Sequence, residues 1–427
     1  MNLVSLYKIF TQHPSIETDT RKLKSGDIFF ALKGPNFNGN LFAAKAIELG
    51  AAYVVIDESQ YEIPGKTILV ENVLKCLQQL AAHHRQQFTI PFLAITGSNG
   101  KTTTKELTHA VLSKKFRTYT TEGNLNNHIG VPLTILKIPL NAEMAVIEMG
   151  ANHPKEIESY CEIVQPTHGL ITNCGKAHLE GFGSEEGVKK AKGELFTFLK
   201  QNNGCAFLMS DYDYLQKMSE GINTKINYGT KNASIEGIAD INNFFLSVKI
   251  NRGINPCTIT TKLIGTYNLP NVLAAITIGN HFGVADEKII SAIENYTPTN
   301  SRSQLLEKGS NKFIMDAYNA NPSSMQSAIE NFAEMKEENK VLLLGEMAEV
   351  GEDSIGEHQS ILKLIEKTAW KDVILVGEKF SNQNFHFNYF KTVQLANEWL
   401  QQKKHEHTVF LVKGSRSVQM EKIIENL

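Results

Sequence analysis

The residues Thr96-Gly97-Ser98-Asn99-Gly100-Lys101-Thr102 are the types that hold a nucleotide triphosphate. They follow an apolar run, Pro91-Phe92-Leu93-Ala94-Ile95, and lead through Thr103 into a helical pattern. In that context backbone N–H groups and the positive end of the helix dipole face the phosphates. Lys101 neutralises the β/γ oxygens, and the Thr102 hydroxyl meets Mg²⁺. The common form of the motif has a glycine six positions before the lysine. Here that position is Ile95, and the first glycine is Gly97, so the loop is shorter. The competing reading is an ordinary strand-to-helix turn.

Further polar residues sit where a parallel sheet gathers ligands, beyond the carboxyl ends of its strands. Glu148 closes the run Ala145-Val146-Ile147-Glu148-Met149, and a carboxylate there can bind Mg²⁺ directly or through water. Its alternatives are a helix cap or a salt bridge. Asn173 and His178 follow the run Gly169-Leu170-Ile171-Thr172, in a loop position that points to metal or phosphate contact for His178. Lys192 lies in a helical window, Val188-Lys189-Lys190-Ala191-Lys192-Gly193-Glu194, and spacing alone favours a solvated lysine paired along its helix. No Ser-His-Asp or Cys-His arrangement suggests a covalent nucleophile.

The elements that must position these groups alternate between strand and helix. Residues 1–88 read as a small α/β unit, with strands at 27–32, 51–56 and 67–70. Its last helix runs from Leu74 to His84, and His83 and His84 are expected to face solvent. Residues 89–297 read as a central, mostly parallel phosphate-loop domain, within which 223–262 alternates like antiparallel strands. Residues 298–427 read as a Rossmann-like α/β domain. The fold class is therefore α/β in three domains, in keeping with the length of 427 residues. The segment 296–300, interrupted by Pro298, is the expected hinge.

Apolar content of 42% and charged content of 21% are those of an ordinary globular chain, and a net charge of −2 gives no electrostatic case for nucleic acid or a membrane surface. Cys76, Cys161, Cys174, Cys205 and Cys257 form no CxxC pair, which points to free thiols in a reducing cytoplasm and argues against a structural zinc. The first ten residues, with Lys8, read as an amphipathic helix rather than a signal peptide. No run reaches membrane-spanning length.

Read together, the ordered motifs resemble the Mur ligases, the ATP-dependent amide-forming enzymes of peptidoglycan precursor synthesis. They are Gly26-Asp27-Ile28-Phe29-Phe30-Ala31-Leu32-Lys33-Gly34, the phosphate loop, Gly123-Asn124-Leu125-Asn126-Asn127-His128-Ile129-Gly130, Glu148-Met149-Gly150-Ala151-Asn152-His153-Pro154, Ala177-His178-Leu179-Glu180-Gly181, Asp316-Ala317-Tyr318-Asn319-Ala320-Asn321-Pro322-Ser323-Ser324-Met325, Leu344-Gly345-Glu346-Met347-Ala348-Glu349-Val350-Gly351 and Lys413-Gly414-Ser415-Arg416. Segment 316–325 is the most specific of these. Through it the resemblance implies an activity that joins D-alanyl-D-alanine to UDP-N-acetylmuramoyl-tripeptide through an acyl phosphate, with ATP. Another Mur ligase, a folylpolyglutamate synthase-like ligase, and a catalytically dead nucleotide-binding regulator are the alternatives.

The resemblance implies roles that spacing does not. Lys192 matches a carbamylated lysine that joins His178 on a second Mg²⁺. Asn271 matches the adenine-binding asparagine, Asp316 the ribose contact, and Arg302 an arginine near the phosphates. Asp19, Thr20, Arg21, Lys33 and Gly34 match the uridine-binding end. Asn126 and Asn127 match the muramoyl-peptide side, and Asn319 and Asn321 fall on the substrate side of the third domain. A cytoplasmic monomer is implied. The chain departs from the family pattern at Asn38 and Asn40, where Asp and His are frequent, and at Tyr267, where His is common; these bear on the UDP-sugar and adenine ends.

Overall fold

The computed structural model describes residues 2–240, 244–299, 301–381, 383 and 385–425. Residue 300, the last of the expected hinge, lies outside them. Three sheets carry the fold. The first has four parallel strands in the order Ile16–Glu17, Ile28–Phe30, Tyr53–Ile56, Thr67–Leu69, with a short hairpin of Lys33–Gly34 and Phe37–Asn38 beside it.

Against this sheet lie helices Leu3–Gln12 and Val73–Arg85. The second starts at Asn72, whose side chain accepts from the Lys75 N–H at 2.8 Å, a standard N-cap. Its buried stripe, Leu77, Leu80, Ala81 and His84, recurs at helical spacing. The expectation that His84 faces solvent is therefore wrong. Its position on the stripe makes it 4% exposed, and its two ring nitrogens lie 3.0 Å from the Tyr7 hydroxyl and 2.8 Å from the Ile138 carbonyl. His83, one position round the helix, is half-buried and meets the Tyr7 ring edge-on.

The central sheet has nine strands, ordered Cys257–Thr260, Ser247–Arg252, Ile235–Asp240, Thr224–Gly229, Cys205–Met209, His168–Ile171, Phe92–Thr96, Met144–Glu148, Thr118–Thr120. Its middle strands Cys205–Met209, Phe92–Thr96 and Met144–Glu148 are buried throughout. That explains their continuous apolar runs, since helices cover both faces of a parallel sheet. The 223–262 stretch is only partly antiparallel. Ser247–Arg252 pairs antiparallel with both neighbours, but Thr224–Gly229 pairs parallel with Cys205–Met209 and with Ile235–Asp240. Alternation of polar and apolar residues reports one covered face, not strand direction.

The third sheet has six strands in the order Gln304–Lys308, Asn311–Asp316, Val409–Lys413, Lys340–Gly345, Asp372–Val376, Asn388–Phe390. Only the first pair is antiparallel. One continuous apolar core runs from Leu6 to Ile293, uniting the first two sheets. The third sheet has its own clusters, one on each face, and among the described residues Ile264 is the fully buried residue of the central unit that joins the first of them.

Candidate active site

Helix Lys101–Leu112 opens from Gly100, which has φ +81. Gly97 has φ +141. Both are positions a side chain would strain, and both are crowded. A Cβ on Gly97 would lie 2.0 Å from Thr172 Oγ1, and one on Gly100 would lie 2.5 Å from Asn271 Oδ1. The loop is held from the next strand end. Thr172 Oγ1 donates to the Asn99 carbonyl at 2.6 Å, the Ser98 N–H to the Asn173 carbonyl at 2.9 Å, and the Asn99 N–H to Asn173 Oδ1 at 3.0 Å. Lys101 Nζ curls back to donate to the carbonyls of Gly97 (2.8 Å) and Ser98 (3.0 Å). Burial lowers its pKa, and the charges of Glu148 and Glu349 oppose that shift.

Glu148 is 1% exposed at the end of its strand. Its Oε1 accepts from Asn126 Nδ2 at 2.7 Å and from Thr102 Oγ1 at 3.2 Å, while Oε2 is buried with no hydrogen-bond partner. An orphaned carboxylate oxygen beside a hydroxyl suits a hard divalent cation. Thr96, at the end of its own strand, donates its hydroxyl to the Met149 carbonyl at 2.7 Å and so supports the turn after Glu148.

Lys192 is not the solvated lysine that spacing favours. It sits on the buried face of helix Glu185–Gln201, 1% exposed, and its Nζ donates to the Ala151 carbonyl at 2.9 Å. Burial, reinforced by the Lys101 charge, pulls its pKa down to about 7. Lys192 and His178 flank one ring, with Lys192 Nζ 5.1 Å and the His178 centroid 6.5 Å from the centre of Phe182. His178 Nδ1 lies 2.7 Å from Glu349 Oε2, a contact between the second and third units that holds the Glu349 carboxyl below its usual range.

The third unit faces these groups across a cavity of about 1140 Å³, lined from one side by Lys101, Thr102, Thr103, Glu148, His178 and Asn271 and from the other by Arg302, Asp316, Asn319 and Asn321. Asn126 and Asn127 complete one wall, the latter with its Oδ1 accepting from the Gly130 N–H at 2.8 Å. Asn271 is set by Thr104 Oγ1, which donates to its Oδ1 at 3.1 Å, and by Asn268 Oδ1, which accepts from its Nδ2 at 2.9 Å. The Arg302 guanidinium lies 3.5 Å over the Tyr318 ring. Asp316 Oδ2 is 2.6 Å from Lys413 Nζ, and Lys413 is 2% exposed. Asn321 caps helix Pro322–Glu334 through a capping box with Ser324, and its Nδ2 donates to Asn99 Oδ1 at 2.8 Å. It therefore bridges the third unit to the phosphate loop.

The residues matched to a uridine-binding end are not among those lining this cavity. Asp19 forms a local ion pair with Arg21 at 2.7 Å, with Thr20 in the turn between them. Lys33, followed by Gly34 in the hairpin, pairs with Asp57 at 2.9 Å and Glu58 at 2.7 Å. The departures Asn38 and Asn40 bond to Glu58 (3.0 Å) and Asp57 (2.9 Å), so they belong to that same polar knot. Tyr267 is half-buried near the hinge, on the cavity wall, with its hydroxyl 3.3 Å from Ser303 Oγ.

Three residues gained roles only in the folded chain. Glu349, Lys413 and Tyr318 lie in the quoted motifs, but their partners His178, Asp316 and Arg302 are distant or on another strand. In the fold Glu349 adopts φ +61, two residues before Gly351.

A phosphate loop on a parallel sheet, faced by a separate α/β unit that contributes charge to the same cavity, defines a nucleotide-dependent enzyme assembled from several domains. The chain belongs to the Mur ligase family. The family's catalytic-domain profile matches residues 14–85, the Mur ligase middle domain residues 95–279, and the Mur ligase glutamate ligase domain residues 301–416. The UDP-N-acetylmuramoyl-tripeptide–D-alanyl-D-alanine ligase of Bacillus subtilis is 34% identical over 96% of this chain and 92% of its own length. Among solved structures, MurF from Acinetobacter baumannii superposes with a TM-score of 0.88 at 29% identity, covering 97% of this chain and 93% of that one. MurF from Thermotoga maritima in complex with ADP gives 0.86 at 25% identity, covering 96% of each.

Proposed function

We propose that the chain joins D-alanyl-D-alanine to UDP-N-acetylmuramoyl-tripeptide with ATP, serving peptidoglycan synthesis and hence cell shape and division. The observation that carries this is an end-to-end likeness to ligases of that name, together with a cavity that gathers the phosphate loop, Glu148 and Arg302.

The three units divide the work at 1–88, 89–297 and 298–427. The γ-phosphoryl of ATP passes to the terminal carboxylate of the tripeptide as the bond to ADP breaks. The dipeptide amine then attacks the acyl carbon, and the bond to phosphate breaks as the amide forms and the amine sheds a proton. Both partners of the first step are anionic, so fixed positive charge is the main requirement. Lys101, from its place against the loop, and Arg302, held flat on Tyr318, supply it. Asn271 meets adenine, and Asp316, oriented by Lys413, meets the ribose. Asn126 and Asn127 hold the muramoyl-peptide side, while Asn319 and Asn321 lie near the dipeptide. Asp19, Thr20, Arg21, Lys33 and Gly34 serve the uridine end.

Thr102 and Glu148 would hold one Mg²⁺, the orphaned Glu148 oxygen being the supporting observation. His178 and Lys192 would hold a second, with Lys192 carrying a carbamate formed when its neutral amine adds CO₂ and releases a proton. The buried, half-neutral amine supports that assignment. When bound, Mg²⁺ supplies charge neutralisation at the phosphates and the carboxylate. The protein acts as a cytoplasmic monomer; no helix of the described residues is long and apolar enough to cross a membrane.

The test is an acceptor panel with purified protein, ATP, Mg²⁺, and tripeptide precursors ending in diaminopimelate or lysine. ADP release that requires D-alanyl-D-alanine is expected. Release driven instead by single amino acids overturns the reading.

A further inference from the structure

We propose that His168, Cys205 and His281 form a binding site for one zinc ion, on the side of the central sheet remote from the phosphate loop. The idea is independent of the proposed ligase reaction, which uses none of the three.

His168 opens strand His168–Ile171, Cys205 opens the adjacent parallel strand Cys205–Met209, and the two are direct register partners. His281 is the last residue of helix Leu269–His281. One ligating atom from each residue lies within 4.8 Å of the other two. The phosphate loop is fixed at the opposite ends of these strands, through Thr172 and Asn173. A four-residue strand spans ~13 Å, so the two sites are separate.

The chemistry selects the metal. One sulfur and two imidazole nitrogens, with no carboxylate in the cluster, suit zinc and disfavour Mg²⁺ or Ca²⁺. Thr167 Oγ1 lies 2.8 Å from His168 Nδ1, which leaves Nε2 for the ion and fixes the ring, as outer partners of metal-bound histidines do. Phe207 and Phe282 pack on both imidazoles, with ring centroids 4.8 to 6.1 Å apart, and shield the site from one side. Cys205 is buried and His281 exposed, so the fourth position opens to solvent and takes water. On binding, the Cys205 thiol gives its proton to solvent and the thiolate joins the ion.

Zn–N and Zn–S bonds of ~2.0 and ~2.3 Å put tetrahedral ligand atoms ~3.5 Å apart. The cluster must draw in by about an ångström, which the exposed ring at the helix end can supply. Zinc would then tie two strand starts to the end of the helix whose beginning carries Asn271, stiffening the sheet beneath the nucleotide cavity. Sequence spacing could not suggest this, because the three residues lie far apart along the chain.

The test uses the full chain stripped of metal and then given excess Mg²⁺ to fill the oxygen sites around Glu148. Cobalt(II) is the probe, since only a sulfur-bound ion gives a thiolate-to-cobalt band in the near ultraviolet. One equivalent of cobalt should produce that band, one equivalent of zinc should displace it, and zinc should raise the melting temperature. Cys205→Ser should abolish the band. His281→Ala, at an exposed helix end, should weaken metal binding at least ~10-fold. Both variants should keep nucleotide affinity. No thiolate band, or an unchanged band in Cys205→Ser, overturns the proposal.

Discussion

Replacing Lys192 by methionine separates the cost of this side chain from its use. A lysine pulled from 10.5 to about 7 by burial has its charged form penalised by ~5 kcal/mol relative to a lysine in water, at 1.36 kcal/mol per tenfold. About half of the amine is then neutral at pH 7, against roughly one part in 3000 for a free lysine, which is what addition of CO₂ requires. The same burial opposes folding. Between pH 10.5 and about 7 the unfolded chain binds the proton and the folded chain does not, so stability falls as pH falls through that window and the full penalty is present below it. Methionine fills a similar volume without charge, losing only the hydrogen bond to Ala151, worth ~1 kcal/mol.

In CO₂-depleted buffer at about pH 6.5, Lys192→Met should therefore melt above wild type by roughly 5 °C. The gap should close as pH rises towards 10. Turnover in the ADP-release assay should drop by ~100-fold or more, as when a preorganised charged group is removed. Lys192→Ala should be similarly inactive and partly rescued by a short carboxylate. Near wild-type turnover, or a melting gap indifferent to pH, refutes the reasoning.

Lys101→Ala should lower kcat by ~100-fold at saturating ATP, since the charge it removes matters most as the γ-phosphoryl transfers; steady-state kinetics checks this. Gly97→Ala should abolish tight ADP binding in calorimetry, because its Cβ would overlap Thr172 Oγ1 at 2.0 Å on a backbone at φ +141. Saturation with ATP and the UDP-precursor should shrink the radius of gyration in small-angle scattering, the third unit swinging about the segment containing Pro298 onto the first two, which share one core. An unchanged radius in saturated, active protein would mean the cavity is preassembled.

The sequence was most legible where one short segment does the whole job. The strand, the two glycines and the lysine of the phosphate loop are contiguous, so their order alone specified a strand, a turn and a helix N-terminus. It was least legible where a periodic pattern has two readings. His84 continues an apolar stripe but looks polar, and Thr224–Gly229 alternates like its antiparallel neighbours while pairing parallel. Lys192 shows the same limit. Its buried face is defined by Val188, Ala191 and Leu195, yet three other charged residues in the window suggested solvent. The pairs His178–Glu349 and Asp316–Lys413 depend on tertiary contact and leave no mark in local spacing.

Several helices begin at the central cavity, and three of them carry proposed site residues. Lys101–Leu112 starts at the phosphate loop, Leu269–His281 brings Leu269, Pro270 and Asn271, and Pro322–Glu334 brings Asn321, Ser323 and Ser324 from the third unit. Each helix start acts as roughly half a positive charge. The apposed surfaces of the second and third units therefore turn positive helix ends, together with Lys101 and Arg302, into the cavity, while contacts such as His178–Glu349 and Asn321–Asn99 hold its rim. A polyanion is the mortar between them: the more negative the ligand, the firmer the joint. In the proposed reaction that would make turnover self-timing. Once the terminal phosphate has left, the remaining nucleotide carries less charge, the joint slackens, and the units part to let products go.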